Sequence, residues 1–181
     1  MREALTGDAY LEQISTVLRE LQQPVQLTGK QAEQPIKALA CAKILRQYRA
    51  IQQDGAAIDA QTPDAAIHEL RIECKKLRYL LELFTELFPK KELKLLVKEL
   101  KVLQDNLGRF NDYSVQQEFL QHFAQGTRSA EQLASINGLA AVLHHQQRYE
   151  RSLVVGNISR FIEGSVGKRF QQLFSHGKAV R

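Results

Sequence analysis

The chain has 181 residues, a formal net charge of +5, 44% hydrophobic and 25% charged residues, and no tryptophan. This is enough for one domain or for two small bundles sharing a core, with the composition of an ordinary soluble globular protein and a mild bias toward anionic partners. No apolar run approaches the roughly 20 residues that span a bilayer, and the N-terminus lacks a signal-peptide pattern, so a cytoplasmic protein with no membrane partner is the default expectation.

Helical periodicity runs through nearly every segment. Residues 8–23 form a first pattern, with Asp8 as N-cap and a stop before Pro24. Residues 24–35, "PVQLTGKQAEQP", read as a loop. A second helix is expected over about 36–54, with Gly55 at its C′ position. Cys41 on it and Cys74 on the next are too few and too far apart for a metal knuckle or a disulfide framework, and are expected as buried thiols. The third helix takes Thr62 as N-cap, Pro63 at N1 and Asp64 in its first turn, and runs to about Phe88 before Pro89. The fourth is expected over 90–107, stopped by Gly108. "GRFND" then makes a tight connection, and Ser114 with Gln117 forms a capping box for a fifth helix ending near Gly126. A last long pattern, about 129–162, contains Gly138 and Gly156, and the tail holds one short helix. The fold class is all-α: an antiparallel helical bundle with short connections.

The third helix places Ile67, Leu70, Cys74, Leu77, Leu81, Phe84 and Phe88 on one apolar stripe. Along the border of that stripe stand His68, Arg71, Lys75 and Arg78. Like charges at this spacing repel by a few tenths of a kcal/mol per pair, a cost that solvent or an anion must absorb. Arg and Lys supply charge-assisted bonds to phosphate, His adds a donor, and Tyr79 adjoins the row with a hydroxyl. The fourth helix carries a second row, Lys90, Lys94, Lys98 and Lys101, with Lys91 beside it and Leu93, Leu96, Leu100, Leu103 and Leu107 opposite. A reversal at Pro89 makes the two helices neighbours, so both rows can flank one groove of a length suited to an extended polyanion. Lysine-rich faces are more often plain solvated surface, with Glu92 and Glu99 spaced to pair with lysines.

The stretch "IHELRIECKKLRYLLELF" resembles the signature helix of the CHAD family, the conserved histidine α-helical domain: a His, an Arg three on, a Lys four further, then Arg and an aromatic. "LQDNLGRFNDYSV", with Gln104, Asp105, Gly108, Asn111 and Asp112, is similar to the second family signature. The resemblance runs from about residue 36 to 163. It implies a member of a family built from two pseudo-symmetric halves, of which this chain matches the second. Residues 1–35 are then an N-terminal helix and loop standing where a missing first half would end, and 36–181 are the CHAD-like bundle. The chain is a fragment, a degenerate member, or one of two copies pairing as a homodimer to rebuild the channel.

The resemblance also implies non-catalytic binding of inorganic polyphosphate, with polyphosphate granules or a triphosphate-tunnel enzyme as associates. Carried over by position, His68, Arg71, Lys75 and Arg78 become the primary phosphate contacts, Tyr79 fills the motif's aromatic place beside them, and Lys76 is a weaker candidate. Lys94, Lys98 and Lys101 rest on the stripe argument, and Arg148 on a line with His144 and Arg151 that offers a third basic wall. For Asn111 and Asp112, bonding within the turn and capping outweigh ligand contact, and a supporting role behind the cations is the alternative. Asp105 is expected to pair with Lys101.

No phosphate-binding glycine motif, carboxylate cluster or nucleophile arrangement is visible, so catalysis and a cofactor are not expected. Adjacent His144 and His145 point about 100° apart and lack a companion at ligand spacing, so no metal is expected. Two other readings stay open: nucleic-acid binding through the same rows, which 7% aromatic residues and the missing recognition helix disfavour, and a purely structural helical scaffold.

Overall fold

A computed structural model describes residues 8–22 and 34–175, with six helices and no strand among them. The chain divides into two compact units, Met1–Pro35 and Ile36–Arg181. The first contains α1 (Asp8–Gln22), on which Ile14, Val17 and Leu18 are exposed. The second is a bundle of α2 (Ile36–Ala56), α3 (Asp64–Leu83), α4 (Lys90–Gly126), α5 (Ala130–Ile162) and α6 (Gly164–Phe174). No described helix is long and apolar enough to cross a membrane.

The expected stripe of α3 is the centre of the core: Ile67, Leu70, Cys74, Leu77 and Leu81 are fully buried. Phe88 is buried beyond the helix end, and Phe84 packs against the same cluster. Burial pushes the Cys74 thiol up to about 12 and raises that of Cys41, leaving both as packing groups. The α3 helix ends earlier than expected, at Leu83, and one 3-10 turn, Thr85–Leu87, carries the chain to Pro89. At its start Thr62 is not the cap. Its hydroxyl donates to the Asp59 carboxylate and accepts from the Asp59 N–H, while Pro63 precedes the first turn without a side-chain bond.

Two glycines expected to end helices lie inside them. Gly55 belongs to α2, where an added Cβ would sit 2.5 Å from Ile158 Cγ1, so the Ile158 side chain of α5 fills the space a side chain at 55 would need. Gly108 lies within α4, one rod of 37 residues. The apolar spacing Leu100, Leu103, Leu107, Phe110 continues through it, and burying all four outweighs a glycine penalty of about 1 kcal/mol. "GRFND" is therefore helical. Ser114 and Gln117 form no capping box, since both donate back to carbonyls four residues earlier, those of Phe110 and Tyr113. Gly138 and Gly156 likewise leave α5 unbroken, and Ser129 caps it by accepting from the Gln132 N–H.

The helices α2, α5 and α6 close the bundle through Tyr48, which stacks on Phe170 at 4.0 Å and meets Phe161 edge-on. Its hydroxyl donates to the Phe161 carbonyl at 3.1 Å. Between α4 and α5 a buried polar group takes the place of apolar contact. Asn106 donates to the Glu150 carboxylate (2.6 Å) and accepts from Asn157 (2.9 Å), while Arg109 donates to the other Glu150 oxygen (2.8 Å). Every group in this cluster is satisfied, as burial requires.

Candidate functional site

Two side-chain bonds fix how α3 lies against α4. His68 Nδ1 stands 2.7 Å from Asn111 Oδ1, and Gln104 Nε2 donates to the Cys74 carbonyl at 3.1 Å. The residue numbers of facing pairs therefore sum to about 179, and the helices are antiparallel. In this register Arg71 lies opposite Gly108, Lys75 opposite Gln104, and Arg78 opposite Lys101. The α3 flank that faces α4 carries His68, Arg71, Lys75 and Arg78, a row about 15 Å long. Gly108 contributes no side chain, and the space where its Cβ would point is open.

These four differ in their partners. Arg78 donates to Glu82 at 2.6 Å, and the Glu82 carboxylate raises its already high pKa. Lys101 is held by Asp105 at 2.7 Å, as its spacing leads one to expect. Arg71, half-buried, and Lys75, exposed, have no carboxylate partner among the described residues. The centre of the row is thus its uncompensated part. At the His68 end the groove between the helices, about 370 Å³, is also lined by Asp64, Glu69 and Glu118. The charge there is mixed.

Several other candidates lie elsewhere. Lys76 is turned to the opposite flank, where it donates to Glu73 at 2.6 Å, and Glu73 in turn accepts from Gln47 on α2. The Lys76 bond, with Gln47 behind it, holds the Glu73 carboxyl below its ordinary value. Tyr79 is exposed beside Arg78. Lys94 and Lys98 are exposed without ion-pair partners among the described residues, Lys98 about 120° round α4 from Gln104 and so near the outer crest. On α5, Arg148 is exposed, but the third wall does not form as expected. Arg151 is taken up by the Asp64 carboxylate and the Thr62 carbonyl, with its guanidinium 5.3 Å above the Phe110 ring.

With α4 unbroken, Asn111 and Asp112 are neither turn nor cap residues. Asn111 supports the His68 ring, and Asp112 is exposed. Sequence reasoning also missed Gln147, which donates to Asp64 and to Ser114 from α5 and so braces the start of α3 against α4. Its signal is weak, a glutamine on the inward face of a helix. Among the described residues no group of three His, Cys, Asp or Glu side chains is placed to hold a metal ion.

The family model for the CHAD domain matches residues 1–121 of the chain. The chain belongs to the CHAD family. The match takes in both motifs, and its bounds differ from the 36–163 read from the motifs alone: it includes the first unit and stops within α4. No curated protein matches the chain. His68 and its hydrogen-bond partner Asn111 both lie within the matched residues.

Proposed function

We propose that this CHAD protein binds an extended phosphate polyanion, inorganic polyphosphate in the first instance, along the α3 flank facing α4, without catalysing its turnover. The observation that carries the reading is the pair Arg71 and Lys75, one turn apart and free of carboxylates among the described residues, while Arg78 and Lys101 are each paired with a carboxylate four residues on. Like charges left uncompensated on one line cost stability that an anion recovers. Gly108 opposite Arg71 leaves room for a phosphate to approach the helix backbone. The carboxylates at the His68 end bound the ligand there, so the strongest contacts are Arg71, Lys75 and Arg78, with Lys101 across the groove and His68 at the margin. Family membership supports the ligand class.

Titration calorimetry with long-chain polyphosphate at physiological salt tests this. The expected result is saturable binding that weakens at least tenfold in Arg71→Ala/Lys75→Ala while the helical circular dichroism is unchanged. Absence of binding by the wild type would return the row to a structural role. Displacement by duplex or single-stranded DNA at equal phosphate concentration would move the reading to general nucleic-acid binding, whose salt dependence is otherwise similar.

A further inference from the structure

Beyond the groove, α4 and α5 continue together as a hairpin in which none of residues 111–142 is buried. The last buried residue of α4 is Phe110 and the first of α5 is Leu143. Helical stability in proteins comes mainly from tertiary packing of an apolar face, and this segment has such a face with nothing buried beneath it. On α4, Val115, Phe119 and Phe123 recur every four residues, with Phe119 66% and Phe123 57% exposed and their rings stacked at 6.4 Å. On α5, Leu139 and Val142 are at least half exposed. The two stripes converge on one side, where Val115, Phe119, Leu120, Leu139 and Leu143 line an apolar groove of about 380 Å³.

We infer that this face is where two copies of the chain associate, hairpin against hairpin. Three observations select a second copy as the occupant. First, charge is nearly absent: between Phe119 and Leu143 the only Lys, Arg, Asp or Glu residues are Arg128 and Glu131, against 25% charged residues in the whole chain. That depletion, with exposed aromatics, is the composition of an interface core. Second, Arg128 and Glu131 offset one another and only Asp112 and Glu118 add to them over the rest of the hairpin, so the face carries too little charge to select a strongly charged partner or to repel its own twin. Third, the exposed apolar side chains amount to on the order of 500 Å² per copy, so an isologous pairing buries roughly 1,000 Å² before its polar rim is counted, the lower bound for a specific interface. Two helical hairpins meeting in this way complete a four-helix arrangement that neither copy has alone. The inference does not depend on the phosphate reading.

Analytical ultracentrifugation of the full chain without polyphosphate decides it. The expected mass is twice 20.6 kDa, falling to the single-chain value in Phe119→Glu/Leu139→Glu with helical content retained. A wild type that stays at the single-chain mass, or a doubled mass that survives the two substitutions, would overturn it. Hydrogen exchange of the wild type gives a second measurement that needs no variant. Amides of residues 113–143 gain protection as protein concentration rises if copies meet there, and concentration-independent exchange counts against the proposal.

Discussion

Asn111 Oδ1 accepts a hydrogen bond from His68 Nδ1 across 2.7 Å, joining α3 to a residue 43 positions later. The bond fixes which ring nitrogen carries the hydrogen: Nδ1 does, and Nε2 is left for other partners. Replacing Asn111 by Ala should cost no more than about 1 kcal/mol, as expected for a neutral hydrogen bond in an exposed setting. The clearer readout is the ring itself. Nitrogen-15 NMR of neutral His68 should report the Nδ1–H tautomer in the wild type and a shift toward the Nε2–H form in Asn111→Ala. A wild type already in the Nε2–H form refutes the bond's direction.

The cations of α3 separate by flank. Arg71→Ala and Lys75→Ala should each weaken polyphosphate binding about tenfold, or about 1.4 kcal/mol. Lys76→Ala should change it less than about twofold, because Lys76 sits on the α2 side bonded to Glu73. Three single-variant titrations compare the effects. Equal losses at all three positions would mean that total charge, rather than placement on the α4-facing flank, sets affinity.

Gly55 should not tolerate a methyl group. Its Cβ would lie 2.5 Å from Ile158 Cγ1 and 2.8 Å from Cδ1, so Gly55→Ala should destabilise by about 1–3 kcal/mol despite alanine's better helix propensity. Urea unfolding measures this. Ile158→Ala, costly by itself, should make the glycine substitution nearly neutral in a double-mutant cycle.

Tyr48 gives the protein an alkaline limit. Burial pushes its phenol up to about 12, so the folded chain keeps the proton above pH 10, where the unfolded chain releases it. Its contribution is full below pH 10 and declines as the pH climbs toward 12. Tyr48→Phe, which deprives the Phe161 carbonyl of its donor, should cost about 1 kcal/mol near neutrality. The deficit relative to wild type should then shrink across pH 10 to 12. A deficit that stays constant over that range would show that Tyr48 does not set this part of the profile.

The periodicity that located the core of α3 also located its cation row, because both follow from one helical repeat and a single helix. Contacts between helices were not legible in the same way. Gly108 and "GRFND" carry turn chemistry, and only the burial of Asn106, Leu107 and Phe110 against neighbouring helices shows why the chain stays helical there. Lys76 and Lys75 are adjacent in sequence, and the difference between them depends on Glu73 being drawn to the α2 side by Gln47. Arg151 looked like a spare cation until α5 brought it to Asp64. Each of these depends on a partner tens of residues away or on another helix, information that local spacing does not contain.

The unbroken course of α4 ties ligand length to protein length. Lys101 and Phe119 sit on one rigid helix, 18 residues and about 27 Å apart. Two copies joined at their hairpins would hold their cation rows at a set separation, with no hinge to adjust it. A phosphate chain long enough to reach both rows would bind the second at high effective concentration, and a shorter one would gain nothing from the pairing. The helix would then act as a ruler, setting the chain length above which avidity begins.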